Sequence, residues 1–140
     1  MRYLLDTNVI SETRRKAPNP DVVAWIERAA PDSLLISALT LGEIAKGAES
    51  LLRRDPVAAN SLYAWLETIQ ANFADRVLGI DGDVSMAWGR LCAHRPLPVI
   101  DGLLAATALV RGLTLVTRNA ADFTGTGVIL LNPWLDLKSA

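Results

Sequence analysis

Five short apolar runs constrain the fold of this chain more than any other feature. They are "RYLLD" (2–6), "SLLIS" (33–37), "RVLGI" (76–80), "LTLVT" (113–117) and "VILLN" (128–132). Each is rich in Leu, Val and Ile with little polar alternation, the pattern of strands covered on both faces. Longer segments with apolar residues at helical spacing separate them: Val22, Val23, Ile26 and Ala29; Ile44, Ala45, Ala48, Leu51 and Leu52; Leu62, Trp65, Leu66 and Ile69. "DGDVSMAWGRLCAH" and "DGLLAATALVRG" add two more, the second stopping at Gly112, where a helix end favours glycine. Strand and helix in alternation predict an α/β fold with a mostly parallel, five-stranded sheet and right-handed crossovers. With 140 residues, 51% of them hydrophobic, and no internal repeat or low-complexity linker, residues 1–140 are expected to form one domain around a substantial core.

In open parallel sheets, ligands bind beyond the carboxyl ends of the strands. Asp6 is read as the end of the first strand, Ser37 of the second, Asp81 of the third and Thr117 of the fourth. Three further acids lie just past such ends or at helix starts: Glu43 in "SALTLGEI", Asp101 in "VIDGLLAA" and Asp122 in "TRNAADF". Each has a purely structural reading. Asp6 and Asp101 suit N-caps, Glu43 can close a capping box with Thr40, and Asp122 can support a turn opened by Asn119. Gathered at one end of one sheet, however, four carboxylates repel one another in a partly dehydrated cleft, and a bound cation is the simplest compensation. Oxygen donors without a histidine or cysteine cluster suit magnesium or manganese rather than zinc or copper. Such an ion polarises phosphoryl oxygens and acidifies water, which points to phosphodiester hydrolysis.

Composition removes several competitors. The net charge of −1 argues against a protein that coats nucleic acid nonspecifically, although Arg14, Arg15 and Lys16, or Arg53 and Arg54, could touch phosphates locally. The single cysteine, Cys92, permits no intrachain disulfide and reads as a buried structural residue. With one histidine, His94, near a helix end, neither a two-imidazole ribonuclease nor a serine or cysteine triad is supplied, and no "GxSxG" elbow occurs. "GTG" at 125–127 lacks the P-loop lysine and reads as a turn. The four tryptophans are assigned to packing. No signal-peptide pattern and no apolar run near the ~20 residues of a membrane span is present, so a soluble, cytoplasmic protein without membrane contact is expected.

Taken in order, "LLDTNVISE", "ISALTLGEIAKG", "VIDGLLAATAL" and "LTLVTRNAADF", with the closing "TGVILLNPW", closely resemble the PIN-domain ribonucleases, specifically the VapC and FitB toxins of type II toxin-antitoxin pairs. The resemblance runs over nearly the whole chain. It implies a three-layer α/β/α fold, an endoribonuclease dependent on Mg2+ or Mn2+, and a cognate antitoxin. Carried over by position, Asp6 in "DTN" would be the first metal ligand and Asp101 in "VIDG" the central one. Glu43 would act on the metal directly or through water, and Asp122 would hold a second ion or orient the attacking water. Thr7, Asn8, Ser37, Thr117 and Asn119 match polar positions that would fix the carboxylates by hydrogen bonds. The antitoxin is expected to be a small DNA-binding protein whose tail covers the acidic cleft and inserts a basic side chain. A homodimer through apolar helix surfaces involving Leu51, Leu52 and Trp65 is a further expectation. The competing readings are a receiver-like signalling domain with Asp81 as phosphoacceptor and Thr117 as switch, a haloacid dehalogenase type of phosphatase, and a PIN fold that binds RNA without cutting it. Receivers need paired acids where Thr7 and Asn8 follow Asp6, and the dehalogenase "DxD" needs an acid at Asn8.

Overall fold

Successive residues along the central strands turn to opposite sides of the sheet, and both sides are dry. In the computed structural model, which describes residues 1–135, Leu5, Ile36 and Val116 join one apolar cluster, while Leu4, Leu35 and Leu115 join another. The strands are β1 (Tyr3–Leu5), β2 (Leu34–Ser37), β3 (Val77–Leu78), β4 (Thr114–Val116) and β5 (Leu130–Leu131). The helices are α1 (Thr7–Thr13), α2 (Pro20–Arg28), α3 (Ala38–Leu51), α4 (Pro56–Asn72), α5 (Gly82–His94) and α6 (Val99–Arg111), with short 3-10 turns at Pro31–Ser33 and Ala120–Phe123. Val9, Ile10, Val22, Trp25 and Ile69 bring α1, α2 and α4 onto the first face of the sheet. Leu104, Ala105 and Ala108 of α6 cover the second face together with Phe123. The result is the expected α/β/α arrangement, with continuous apolar strands because helices dehydrate both sides.

The sheet order is β3-β2-β1-β4-β5, and every pairing is parallel. Register places Leu4 between Leu35 and Leu115, so a layer of leucines crosses the sheet centre. Flavodoxin-like domains, which share the receiver topology, run 2-1-3-4-5. The present order is different, and it removes the receiver reading. Strand progression reverses between β1 and β4, the neighbouring strands whose carboxyl ends flank the crevice used by ligands in such sheets.

Local sequence explains most boundaries. Asn19 caps α2 by accepting from the Asp21 and Val22 N–H groups, with Pro20 in the first turn, and Gly112 ends α6 at φ 66°, a left-handed conformation that suits glycine. β3 stops at Leu78, so Asp81 lies beyond the strand instead of at its end; there it caps α5 by accepting from the Val84 N–H at 3.0 Å. Cys92 is half-buried, not fully buried as expected, and its Sγ packs against Gly102 at the α5–α6 seam. Trp25 is buried, Trp65 and Trp134 pack against the first cluster, and Trp88 lies at the same seam as Cys92, so the tryptophans do pack. Among the described residues, no helix is long and apolar enough to cross a membrane.

Candidate active site

Asp6 continues β1 by one residue, its N–H donating to Val116 O at 2.9 Å, and then the chain turns into α1. Its carboxylate accepts from the Thr7 N–H at 2.7 Å, which makes it the N-cap of α1, and from the Thr117 hydroxyl at 2.9 Å across the switch point. Asn8 Nδ2 lies 3.5 Å from the same carboxylate, and its Oδ1 accepts from the Arg118 N–H at 3.3 Å. Thr117 is fully buried and is itself braced by the Asn119 N–H at 3.1 Å. One carboxylate is therefore held at the crevice by groups from both flanking strand ends. Capping and site-building are not alternatives for Asp6.

Glu43 arrives from the middle of α3. The Thr7 hydroxyl donates to its Oε1 at 2.7 Å and lies 3.1 Å from the Oγ1 of buried Thr40. The capping-box reading of Glu43 is thereby corrected: Ser37 is the N-cap of α3, and Thr40 already lies inside the helix. Asp101 is no N-cap either. Helix α6 starts two residues earlier with Pro98 in the capping position, so Asp101 stands in the first turn, where the helix N-terminus favours an acid. Asp122 belongs to the 3-10 turn, its N–H donating to Asn119 O at 2.9 Å, and its side chain is exposed.

Two of the four acids, Asp6 and Asp101, are shifted by burial and by the charges of their acidic neighbours. Burial raises the Asp6 pKa above the ordinary carboxylate range, against the pull of the Thr117 and Thr7 bonds, and the charges of Asp101 and Glu43 raise it further. Asp101 is raised as well, first by burial and then by Glu43 and Asp122. Among the described residues no three carboxylates close into a ready cage; Asp6 and Glu43 are turned onto the Thr7 and Thr117 donors instead. The donor set is all oxygen, from acids close enough to repel. That fits a hard cation such as magnesium, which keeps several waters and needs only one or two carboxylates.

The chain matches the family model described as "PIN domain" over residues 3–126. It belongs to the PIN-domain family. The toxin FitB of Neisseria gonorrhoeae is 36% identical over 139 residues, 95% of this chain and 99% of that protein. A VapC ribonuclease of Sinorhizobium fredii is 34% identical over 138 residues, covering 94% and 96%. Among solved structures, FitAcB from Neisseria gonorrhoeae superposes with a TM-score of 0.87 at 34% identity, covering 95% of this chain and 99% of that one. FitAB bound to the IR36 DNA fragment gives 0.84 at 34% identity, covering 94% and 95%. These likenesses make the chain a PIN domain of the VapC/FitB type.

In this PIN domain the other expected polar residues divide by role. Thr7, Asn8 and Thr117 touch the acids directly, and Asn119 works through its backbone. Ser37 turns its hydroxyl to the Leu39 N–H at 3.1 Å and serves α3 as a cap. Asp81 pairs with Arg111, and the Val84 N–H leads the causes that hold its pKa below the ordinary range. Two clefts adjoin the acids. One of about 530 Å3 is lined by Ala38, Leu39, Gly42, Glu43, Lys46 and Ile100 among others. The second, of about 310 Å3, contains Asp101 and Asp122 with Arg95 and the two following prolines. Sequence reading passed over Arg95 and Thr40 as parts of the site. Arg95 had one visible signal, a lone cation between a helix end and the stiff "PLP" link.

Proposed function

We propose that this PIN domain is the toxin of a type II toxin-antitoxin pair, an endoribonuclease that hydrolyses RNA phosphodiester bonds with the help of Mg2+ or Mn2+. The observation that carries the reading is an acidic cluster beside the switch point of a parallel sheet, in which the charges of Asp101 and Glu43 raise the Asp6 pKa and those of Glu43 and Asp122 raise that of Asp101. The names of its relatives support it: one is called a toxin and another a ribonuclease. Asp6 and Asp101 would hold the cation as oxygen ligands. When bound, the ion supplies charge for the phosphoryl oxygens and a more acidic water. Glu43, aimed by Thr7, either joins that ion directly or acts through a water. Asp122, in the opposite wall, orients the attacking water or holds a second ion. Because metal-bound water needs no imidazole base, the exposed His94 at the end of α5 has no part in this scheme.

Incubating the purified protein with cellular RNA and Mg2+ or Mn2+, with and without EDTA, tests the proposal. Fragments are expected only with free metal, and cleavage at full rate in EDTA overturns the metal mechanism. No cut of any cellular RNA under either ion would favour the binding-only reading.

An acidic cleft that suits a cation also suits a partner that delivers a basic side chain. We propose a small DNA-binding antitoxin whose tail covers the four acids; the DNA-binding part of this reading is supported by the FitAB structure, which was solved bound to a DNA fragment. Residues 1–140 are read as one domain working in the cytoplasm, where the RNA is. The homodimer is proposed through the far end of α3 and the facing α4, where Leu52 is exposed and Leu51 and Trp65 are half-buried. Light scattering at micromolar concentration is expected to return the mass of two chains, rising when a neighbouring small reading frame is co-expressed. A single-chain mass would remove the dimer, and toxicity unrelieved by every neighbour would count against the toxin assignment.

A further inference from the structure

Arg95 closes α5, its backbone N–H donating to Leu91 O at 2.8 Å. Pro96, Leu97 and Pro98 follow, and the two prolines fix φ and stiffen the link into α6, whose third residue is Asp101. The guanidinium reaches the opposite wall of the cleft. Its Nη2 donates to the main-chain carbonyl of Asp122 at 2.8 Å and its Nε to that of Thr124 at 3.1 Å, while Nη1 donates to Pro96 O at 3.1 Å. Three of the five N–H bonds an arginine carries are thus given to carbonyls. Two of those carbonyls belong to the segment of Asp122.

Asp122 needs such support more than Asp6 and Glu43 do. Asp6 and Glu43 are aimed by hydroxyl groups, whereas the exposed Asp122 carboxylate makes no hydrogen bond or ion pair among the described residues. Its position is set by its backbone alone. Phe123, buried beside it, anchors the segment in the apolar cluster that Leu104, Ala105 and Ala108 of α6 also join. The hydrogen bonds of Arg95 add a polar tie at the cleft itself, through a link that leads directly to Asp101.

We propose that Arg95 is a positioning residue for RNA cleavage: by gripping the Asp122 and Thr124 carbonyls from the α5–α6 link, it sets the spacing of the Asp122 and Asp101 carboxylates across their shared cleft. The inference rests on the ribonuclease reading above. The rival role is direct contact with an RNA phosphate, a common use of arginine. The two roles predict opposite results.

The test compares Arg95→Ala and Arg95→Lys with the wild-type protein in three measurements: kcat and KM for metal-dependent cleavage, RNA binding in EDTA at several salt concentrations, and amide hydrogen exchange over residues 119–125. Positioning predicts faster exchange in both variants and kcat lower by about 10-fold or more. KM and binding in EDTA stay within about 2-fold of wild type, with an unchanged salt slope. Lysine does not rescue, since one ammonium on a flexible stem cannot span these carbonyls. Rescue by lysine, together with an Arg95→Ala salt slope shallower by about 0.7, would mark a phosphate contact and overturn the proposal. Unchanged kcat alongside faster exchange overturns it too. Unchanged exchange in Arg95→Ala removes the clamp whatever the activity, whereas a wild type that cuts no RNA sinks the ribonuclease reading itself.

Discussion

Asp6→Asn and Asp101→Asn are each expected to lower metal-dependent RNA cleavage by about 100-fold or more while the protein stays folded, and Asp81→Asn is expected to leave most of the activity in place. The contrast follows from what each carboxylate does. Asparagine caps a helix almost as well as aspartate, and losing a cap outright costs only about 1 kcal/mol, so a purely structural Asp6 would tolerate the change. The amide oxygen introduced by Asp6→Asn could still accept from Thr7 and Thr117, yet it would bring no negative charge to a cation. Stability is expected to move in the opposite direction from activity. Burial and the neighbouring acids raise the Asp6 and Asp101 pKa values, so the folded state binds these protons more tightly than the unfolded chain. The resulting destabilisation is fully present above the raised folded values and fades as pH falls through them. The asparagine variants therefore melt at or above the wild-type temperature at neutral pH, and their advantage shrinks on acidification. Side-by-side melting curves and cleavage assays check both halves. Wild-type cleavage by Asp101→Asn would overturn the site, and an inactive, folded Asp81→Asn would move the reactive centre to that residue.

Gly102→Val is expected to damage the fold where the asparagine variants do not. A Cβ at this position would lie 2.7 Å from Cys92 Sγ and 2.9 Å from both Cδ1 and Nε1 of Trp88. Neither neighbour is the loose tip of a long chain, so α5 and α6 must separate. Overpacking of this kind costs about 1–3 kcal/mol, with valine toward the upper end. Even Gly102→Ala, which gains roughly 1 kcal/mol in helix propensity, is expected to lose on balance. Displacing α6 also moves Asp101, the residue just before it, so cleavage is expected to fall along with the melting temperature. Pairing Gly102→Ala with Cys92→Ala opens the seam from the other side, and the double variant should recover part of the loss in a double-mutant cycle. Strict additivity of the two changes would remove this explanation of the seam.

The strands were legible because both faces of the sheet are dry, which leaves Leu4, Leu5, Leu35 and Ile36 in unbroken apolar runs. The stop at Gly112 was legible because its backbone is left-handed. Strand order was not, since a local run carries no information about which strand lies beside it. The four acids stood out because strand ends and helix starts are where open sheets keep polar residues. Ser37 followed the same rule and proved to be a cap, a distinction made only by where its hydroxyl points. The Thr7–Glu43 bond joins residues 36 apart and the Arg95–Asp122 bond residues 27 apart. Such pairings are products of tertiary packing and leave no local pattern to read.

The position of β1 between β2 and β4 has a consequence for how the protein is made. Asp6 leaves the ribosome long before the Val116 carbonyl and Thr117 hydroxyl that hold it, and long before the turn that carries Asp122. The central strand must wait for its second neighbour, because a parallel partner distant in sequence forms only when the intervening chain is available to close the loop. For a ribonuclease this order is protective. On the ribonuclease reading, the nascent chain carries Asp6, Glu43 and Asp101 before the strand and turn that complete the cleft have emerged.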